Sequence, residues 1–169
     1  MFGNLERTRV IAFSAAFIGL IALGGWISIP IGNVPVTLQT LFVLLAGVVM
    51  HRYGAIPVAL YVILGVLGLP LFHNGTTGIG ILLGPTGGFL IGFVFAALVV
   101  GIAYETQSRA IHITGLLAGT AVIYTFGVAW LMFSLGITFM TALVTGVLPF
   151  IIFDLIKAAA AYIIGTKIK

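Results

Sequence analysis

The sequence predicts an all-α membrane protein, with six transmembrane helices in a compact bundle, both termini cytoplasmic and ordered outer loops. Three observations lead there. Of 169 residues, 62% are hydrophobic and 6% charged, and the mean hydropathy is +1.33, far beyond what a soluble core of this length needs. The apolar runs stay continuous for a helix's length, whereas membrane β-strands would show short alternating segments. The charged residues, finally, fall at alternate ends of those runs.

Punctuation by Gly, Pro, Asn and charge sets the elements. A first span, Thr8 to Ser28, follows Arg7 and stops at the proline-containing segment Ser28 to Val36. Thr37 to Met50 ends at the His51-Arg52 turn, and Gly54 to Leu69 ends at Pro70. Both are shorter than the roughly 20 residues a span along the bilayer normal needs, so neighbours should shield them or ordered loops continue them. Pro85 to Tyr104 runs into the charged Glu105 to Arg109 loop. Ile111 to Phe133 and Phe139 to Gly165 complete the set, separated by a short uncharged break.

With both termini on one side, Arg7, Arg9, His51, Arg52, the Glu105 to Arg109 loop, Lys167 and Lys169 share that side. The opposite loops carry no Asp, Glu, Lys or Arg. Positive-inside bias then puts both termini in the cytoplasm of a multi-pass plasma-membrane protein, in contact with lipid. The first apolar run is span-length and lacks a small-residue cleavage exit, so the first helix is expected to remain in the mature protein.

Residues 1–169 form one expected integral-membrane domain without linker or internal repeat. The absence of cysteine removes thiolate chemistry, disulfides and Cys-based metal sites. A pI near 9.8 reflects basic residues at helix ends, an orientation signal and not a nucleic-acid surface. No metal site or cofactor is expected. The acids are Glu6, Glu105 and Asp154, so paired-carboxylate hydrolysis has no second acid in the membrane, and no His-Glu-x-x-His motif occurs. There is no phosphate-binding G-x-x-x-x-G-K-[ST] loop either, which leaves any ATP hydrolysis to a partner. The chain is not expected to be an enzyme.

The pair that points to function is Asp154 and Lys157, three residues apart in an otherwise apolar run from Leu143 to Ile164. Each charge costs several kcal/mol in a bilayer unless partnered, and this spacing puts both on one helix face. They should face a cavity or another helix, as ligand-binding groups or as an ion pair within the bundle. On the uncharged side, Pro70 to Gly88 is rich in Gly and Pro yet contains no charged residue. It reads as a packed lid or a short interfacial connector.

Three separated strings now matter: Val34-Pro35-Val36-Thr37-Leu38-Gln39-Thr40, Leu83-Gly84-Pro85-Thr86-Gly87-Gly88, and Gly146-Val147-Leu148-Pro149-Phe150 followed by Asp154-Leu155-Ile156-Lys157-Ala158. In combination and in order they resemble the BioY family, the biotin-binding S components of energy-coupling factor transporters. The resemblance implies high-affinity biotin capture near the outer face by a six-helix subunit. It also implies partners: a transmembrane coupling protein and two cytoplasmic ATP-binding-cassette ATPases. Two departures stand out. Phe89 replaces the usual Tyr, and Ile152-Phe153 replaces the Pro-Gly that usually precedes the Asp, a bend Pro149 can supply instead.

Biotin's chemistry suits these residues. Its ureido ring offers two N–H donors and a carbonyl acceptor, its thiophane ring and valeryl chain are apolar, and its tail is a carboxylate. Asp154 can accept ureido N–H bonds while Lys157 balances the charge and reaches a ligand oxygen. Asn74, Gln39 and Thr86 are neutral polar candidates, each with an ordinary alternative as turn former, backbone cap or helix-start residue. His73 could lie nearby or face solvent. Trp26, Phe72 and Phe89 are candidate apolar walls, or members of an interfacial aromatic belt. Ala12 and Ala16 form a small-xxx-small ridge of the kind the family uses to dock its coupling protein, while the rows Gly88/Gly92 and Gly115/Gly119 should pack helices internally. The competing reading is a solitary ion-coupled permease with Asp154 as proton carrier.

Overall fold

The structure, a computed structural model, describes residues 2–168, with side chains from Arg7 onward; Lys169 and the Glu6 side chain lie outside the described set. Helix α1 (Phe2–Trp26) leads into a short hairpin of β1 (Ser28–Ile29) and β2 (Val36–Thr37). Then come α2 (Gln39–Met50), a 3-10 turn (His51–Gly54) and α3 (Ala55–Val66). The outer loop contains a 3-10 turn (His73–Gly75) and α4 (Ile79–Leu83). Helices α5 (Gly87–Tyr104), α6 (Arg109–Leu135), α7 (Phe139–Gly146) and α8 (Ile151–Ile168) follow.

Among the described residues, four helical stretches are long and apolar enough to cross a membrane: Arg7–Trp26, Gln39–Val66, Gly87–Tyr104 and Arg109–Leu135. The pair Phe139–Gly146 and Ile151–Ile168, bent by 54°, makes a fifth if taken as one span. The span expected from Phe139 to Gly165 is thus two helices and not one, with the break at the bend expected of Pro149. Residues between Gly146 and Ile151 are turns, and Pro149 sits among them, where it can neither donate to the ladder nor continue the helix. The first outer segment is ordered by a short hairpin, in which Ser28 pairs with Thr37 and Ile29 with Val36 as antiparallel β-bridges.

The stretch Gln39–Val66 is folded back on itself. His51 adopts φ 54°, ψ −140°, and the Gln39 side chain donates a hydrogen bond to the Tyr61 hydroxyl 22 residues later. A straight helix would hold residues that far apart about 33 Å from one another. Helices α2 and α3 therefore run antiparallel. The tip between them is tight: a Cβ on Gly54 would stand 2.3 Å from the Ala46 carbonyl oxygen, so only glycine fits.

Helices α5 and α6 pack most intimately, and small residues allow it. Gly88 and Gly92 of α5 lie against Phe126, Trp130 and Ile123 of α6, while Gly115 and Gly119 of α6 lie against Ala103 and Val100 of α5. Val43, Leu44, Val58, Ala96, Val100 and Leu131 are fully buried between the helices. At the charged end, Arg52 grips Glu105 through two hydrogen bonds of 2.5 and 2.6 Å, and Gly165 of α8 rests on Val48 and Tyr104. At the opposite end, α1 meets α2 where Gly24 and Gly25 touch Leu38 and Gln39.

The outer loop is fastened to that opposite end. Phe72 is fully buried, edge-on to Tyr61 with ring centroids 5.6 Å apart. Gly78 N–H and Thr77 Oγ1 both donate to the Gly65 carbonyl, at 2.8 and 3.0 Å. Trp26 Nε1 donates to the Pro70 carbonyl at 3.2 Å. With its backbone groups so engaged, the loop behaves as a packed cover, not a tether.

Candidate functional site

A partly open cavity lies under this loop. One wall comes from the hairpin and α2: Val34, Pro35, Thr37, Gln39 and Thr40. His73 and Thr86 enter from the outer loop, and Phe89, Leu90 and Phe93 from α5. Ile123 and Tyr124 of α6 face Phe150, Asp154 and Lys157 at the start of α8.

Asp154 and Lys157 are nearly sealed from solvent, at 4% and 7% exposure. Lys157 Nζ donates to Asp154 Oδ1 at 2.8 Å, and the Tyr124 hydroxyl donates to Asp154 Oδ2 at 2.7 Å. Both carboxylate oxygens are thus held, each keeping a lone pair for a further donor. Among the described residues Lys157 donates to Asp154 alone, so two of its three N–H donors are available to a ligand oxygen. The pair sits on one face because of its i, i+3 spacing, and the break before Ile151 aims that face inward.

Opposite stands Gln39, buried, with its amide fixed at both ends. Its Nε2 donates to Tyr61, and its Oε1 accepts from Thr37 Oγ1 at 3.2 Å. Helix α1 closes behind it: a Cβ at Gly25 would lie 2.9 Å from Gln39 Nε2. Polar groups therefore converge on an otherwise apolar, aromatic-walled chamber, the usual form of a small-molecule site.

The sequence of the chain fits this chamber to known proteins. The BioY family profile matches residues 2–169. The chain belongs to the BioY family. It is 42% identical over 163 residues to the biotin transporter BioY of Thermotoga maritima, covering 95% of this chain and 96% of that protein. It is 40% identical over 164 residues to the probable biotin transporter BioY of Pyrococcus horikoshii, covering 96% and 98%. Its fold superposes with TM-score 0.88, at 30% identity, on a crystal structure of the S-component for biotin from an ECF-type ABC transporter, covering 98% of this chain and 93% of that one.

Within this BioY chamber the structure gathers Asp154, Lys157, Gln39, Thr86 and Phe89. Three further sequence candidates, Asn74, Trp26 and Phe72, do not line this cavity. Asn74 is exposed, in a left-handed conformation (φ 55°), because the Asn-Gly pair turns the loop. Trp26 is 52% exposed, its indole spent on Pro70. Phe72 is buried behind the wall, wedged against Gly65 and Tyr61. These last two hold the cover down without facing the hollow.

Phe89 presents its ring to the cavity and packs on Gly127, where a Cβ would come within 2.3 Å; the wall is apolar there in place of a phenol. Ile152 and Phe153 are 71% and 46% exposed and point away from the chamber. Sequence reasoning missed Tyr124, whose sole signal is a phenol within an apolar helix. His73, for which the sequence left open a place near the site or in solvent, lines the cavity, and desolvation pushes its half-buried ring below the ordinary histidine range, toward the neutral form. Thr37 and Thr40, within the first of the three strings, also line the cavity. Among the described residues no group of three or more His, Cys, Asp or Glu could hold a metal ion. On α1, Ala12 and Ala16 are exposed, in contrast to the glycine rows buried between α5 and α6.

Proposed function

We propose that this protein captures biotin at the outer face of the plasma membrane as the substrate-binding S subunit of an energy-coupling factor transporter, and takes part in its uptake. The observation that carries the reading is the buried Asp154–Lys157 pair opening onto an apolar chamber in a chain whose relatives are named biotin transporters. A cyclic urea matches it: N–H donors for Asp154, a carbonyl for Lys157 or the Gln39 amide, and Phe89, Phe93 and Phe150 around the apolar rings. Burying two charges for stability alone is seldom favourable, which argues for a ligand-facing role.

The topology follows the same lines. Counting α1, the two legs α2 and α3, α5, α6 and the bent α7–α8 pair gives six crossings of a single domain, 1–169. Both ends then lie on the side of the Arg52–Glu105 contact, which is cytoplasmic by the positive-inside rule. A transmembrane coupling protein and two cytoplasmic ABC ATPases supply the energy, and the exposed Ala12 and Ala16 offer the coupling protein a close-approach ridge.

Calorimetry on the purified protein in detergent tests the substrate. Saturable binding of one biotin per chain is expected. Failure to bind biotin while a thiamine-type vitamin binds would reassign the substrate but leave the fold intact. Proteoliposomes test the assembly: uptake should require ATP and the partner subunits, and accumulation driven by a pH gradient with this chain alone would show a solitary permease instead.

A further inference from the structure

The outer loops contain one ionisable side chain, His73. It lines the cavity from the cover, while the ion pair lies on α8. Among the described residues its ring nitrogens have no hydrogen-bond partner, although the ring is half-buried; only its backbone carbonyl is engaged, by Thr76. Half-exposed, the ring can be met by water in the free protein and by a ligand acceptor in the complex. The neighbouring elements offer it no fixed counter-ion of their own: the titratable or charged groups around the chamber are Tyr61 of α3, Tyr124 of α6, and Asp154 and Lys157 of α8. Asp154 is already held by Lys157 and Tyr124, and Tyr61 receives the Gln39 amide.

Given the biotin reading, on which this inference rests, one ligand group also lacks a partner. Biotin is an elongated molecule with the ureido ring at one end and a carboxylate at the other. With the ureido ring at Asp154 and Lys157, the carboxylate is left toward the mouth, where no Lys or Arg exists. We propose that His73 is the carboxylate-recognising residue of this site, taking up a proton as the acid tail arrives and so fastening the outer loop over the ligand.

The chemistry is a proton equilibrium and balances simply: solvent supplies one proton to the ring, and the resulting imidazolium donates a charge-assisted hydrogen bond to the carboxylate. Burial in the free protein holds the ring toward the neutral form, and the anion reverses that preference. The histidine pKa is then higher in the complex than in the free protein. By linkage, affinity is fully developed below the free-state value and declines as pH rises through the bound-state value. The cover would respond to ligand charge because His73 belongs to the loop that closes the chamber. The positive φ of Asn74, Gly75 and Gly78 around it marks the joints of that loop.

The test compares biotin with biotin amide, which keeps the rings and chain but lacks the charge, by calorimetry between about pH 5.5 and 7.5, the range over which histidine titrates. For the unaltered protein, biotin should bind more tightly as pH falls, with proton uptake revealed by buffers of different ionisation enthalpy; biotin amide should show neither effect. His73→Ala should weaken biotin roughly tenfold at the acidic end, about 1.4 kcal/mol, and leave the amide unchanged. His73→Arg, with a permanent charge, should keep biotin affinity and lose the pH slope. Equal losses for biotin and its amide, an unchanged slope in His73→Ala, or no proton uptake by the unaltered protein would each overturn the assignment. Binding of neither compound to the unaltered protein would overturn the biotin reading itself.

Discussion

Neutralising the ion pair in two steps separates binding from stability. At a 2.8 Å separation, an effective dielectric of about 20 gives an attraction near 6 kcal/mol. Desolvating each ion costs several kcal/mol, so the pair as a whole contributes little net stability. Removing one member is another matter. Asp154→Asn keeps the shape but leaves the Lys157 ammonium at 7% exposure without its counter-ion, a cost of about 3–5 kcal/mol in comparable buried pairs. Lys157→Met does the converse to Asp154, which retains Tyr124 as a donor, so its cost should be smaller. The double variant removes both charges and should recover most of the lost thermal stability. Biotin affinity should not recover, because the ureido partners are gone; each single variant and the double should bind at least tenfold more weakly than the unaltered protein, about 1.4 kcal/mol or more. Thermal melts in detergent and calorimetric titrations on the same samples give the two readouts. If the double variant regains biotin affinity along with stability, the pair serves the fold only, and the assignment of the chamber fails.

Tyr124→Phe removes the donor to Asp154 Oδ2 while retaining the ring. A hydrogen bond to a charged group is worth about 1.5–3 kcal/mol, and since Lys157 still holds the carboxylate, a loss of biotin affinity of about threefold to tenfold is expected; no change by calorimetry would show that the phenol does not position Asp154. Gly25→Leu places a side chain where a Cβ alone already lies 2.9 Å from the Gln39 amide nitrogen, so it should displace Gln39 and weaken binding. A double variant with Gln39→Ala should add little further loss, and full additivity would mean the two residues act independently. Ala12→Leu with Ala16→Leu should leave biotin binding intact while abolishing co-purification with the coupling protein; unimpaired co-purification places the interface elsewhere.

Much of this molecule was legible because membrane solvent imposes strong rules. Continuous apolar runs and sorted charges located the long helices, though not the short α4 or the β-hairpin, and an acid and a base in a bilayer pointed to a chamber or a neighbouring helix. The break in the last span was half-visible. Pro149 announced a bend, but the non-helical turns between Gly146 and Ile151 depend on packing around Phe150. The hidden parts were contacts between distant elements. Tyr124 and Asp154 lie 30 residues apart, and no spacing rule joins them. Trp26 and Phe72 were ambiguous for a different reason: aromatic side chains near an interface serve equally well as wall, belt or wedge, and the fold adds their contacts with Pro70 and Tyr61.

The arrangement of partners also bears on what ligand binding would cost. Association is costly where side chains must be ordered, and far less so where they already are. Here Gln39 is clamped between Thr37 and Tyr61, and Asp154 between Lys157 and Tyr124, so the polar groups stand in place before any ligand enters. Helices α5 and α6 make a stiff floor through their glycine contacts. Entry then has to come from movement of the outer loop, whose seals are Trp26 on Pro70 and the bonds to Gly65. Those seals use uncharged donors and apolar burial, which suits a surface that must open and close without moving a charge through hydrocarbon. Such an opening would leave the glycine-packed α5–α6 floor in place.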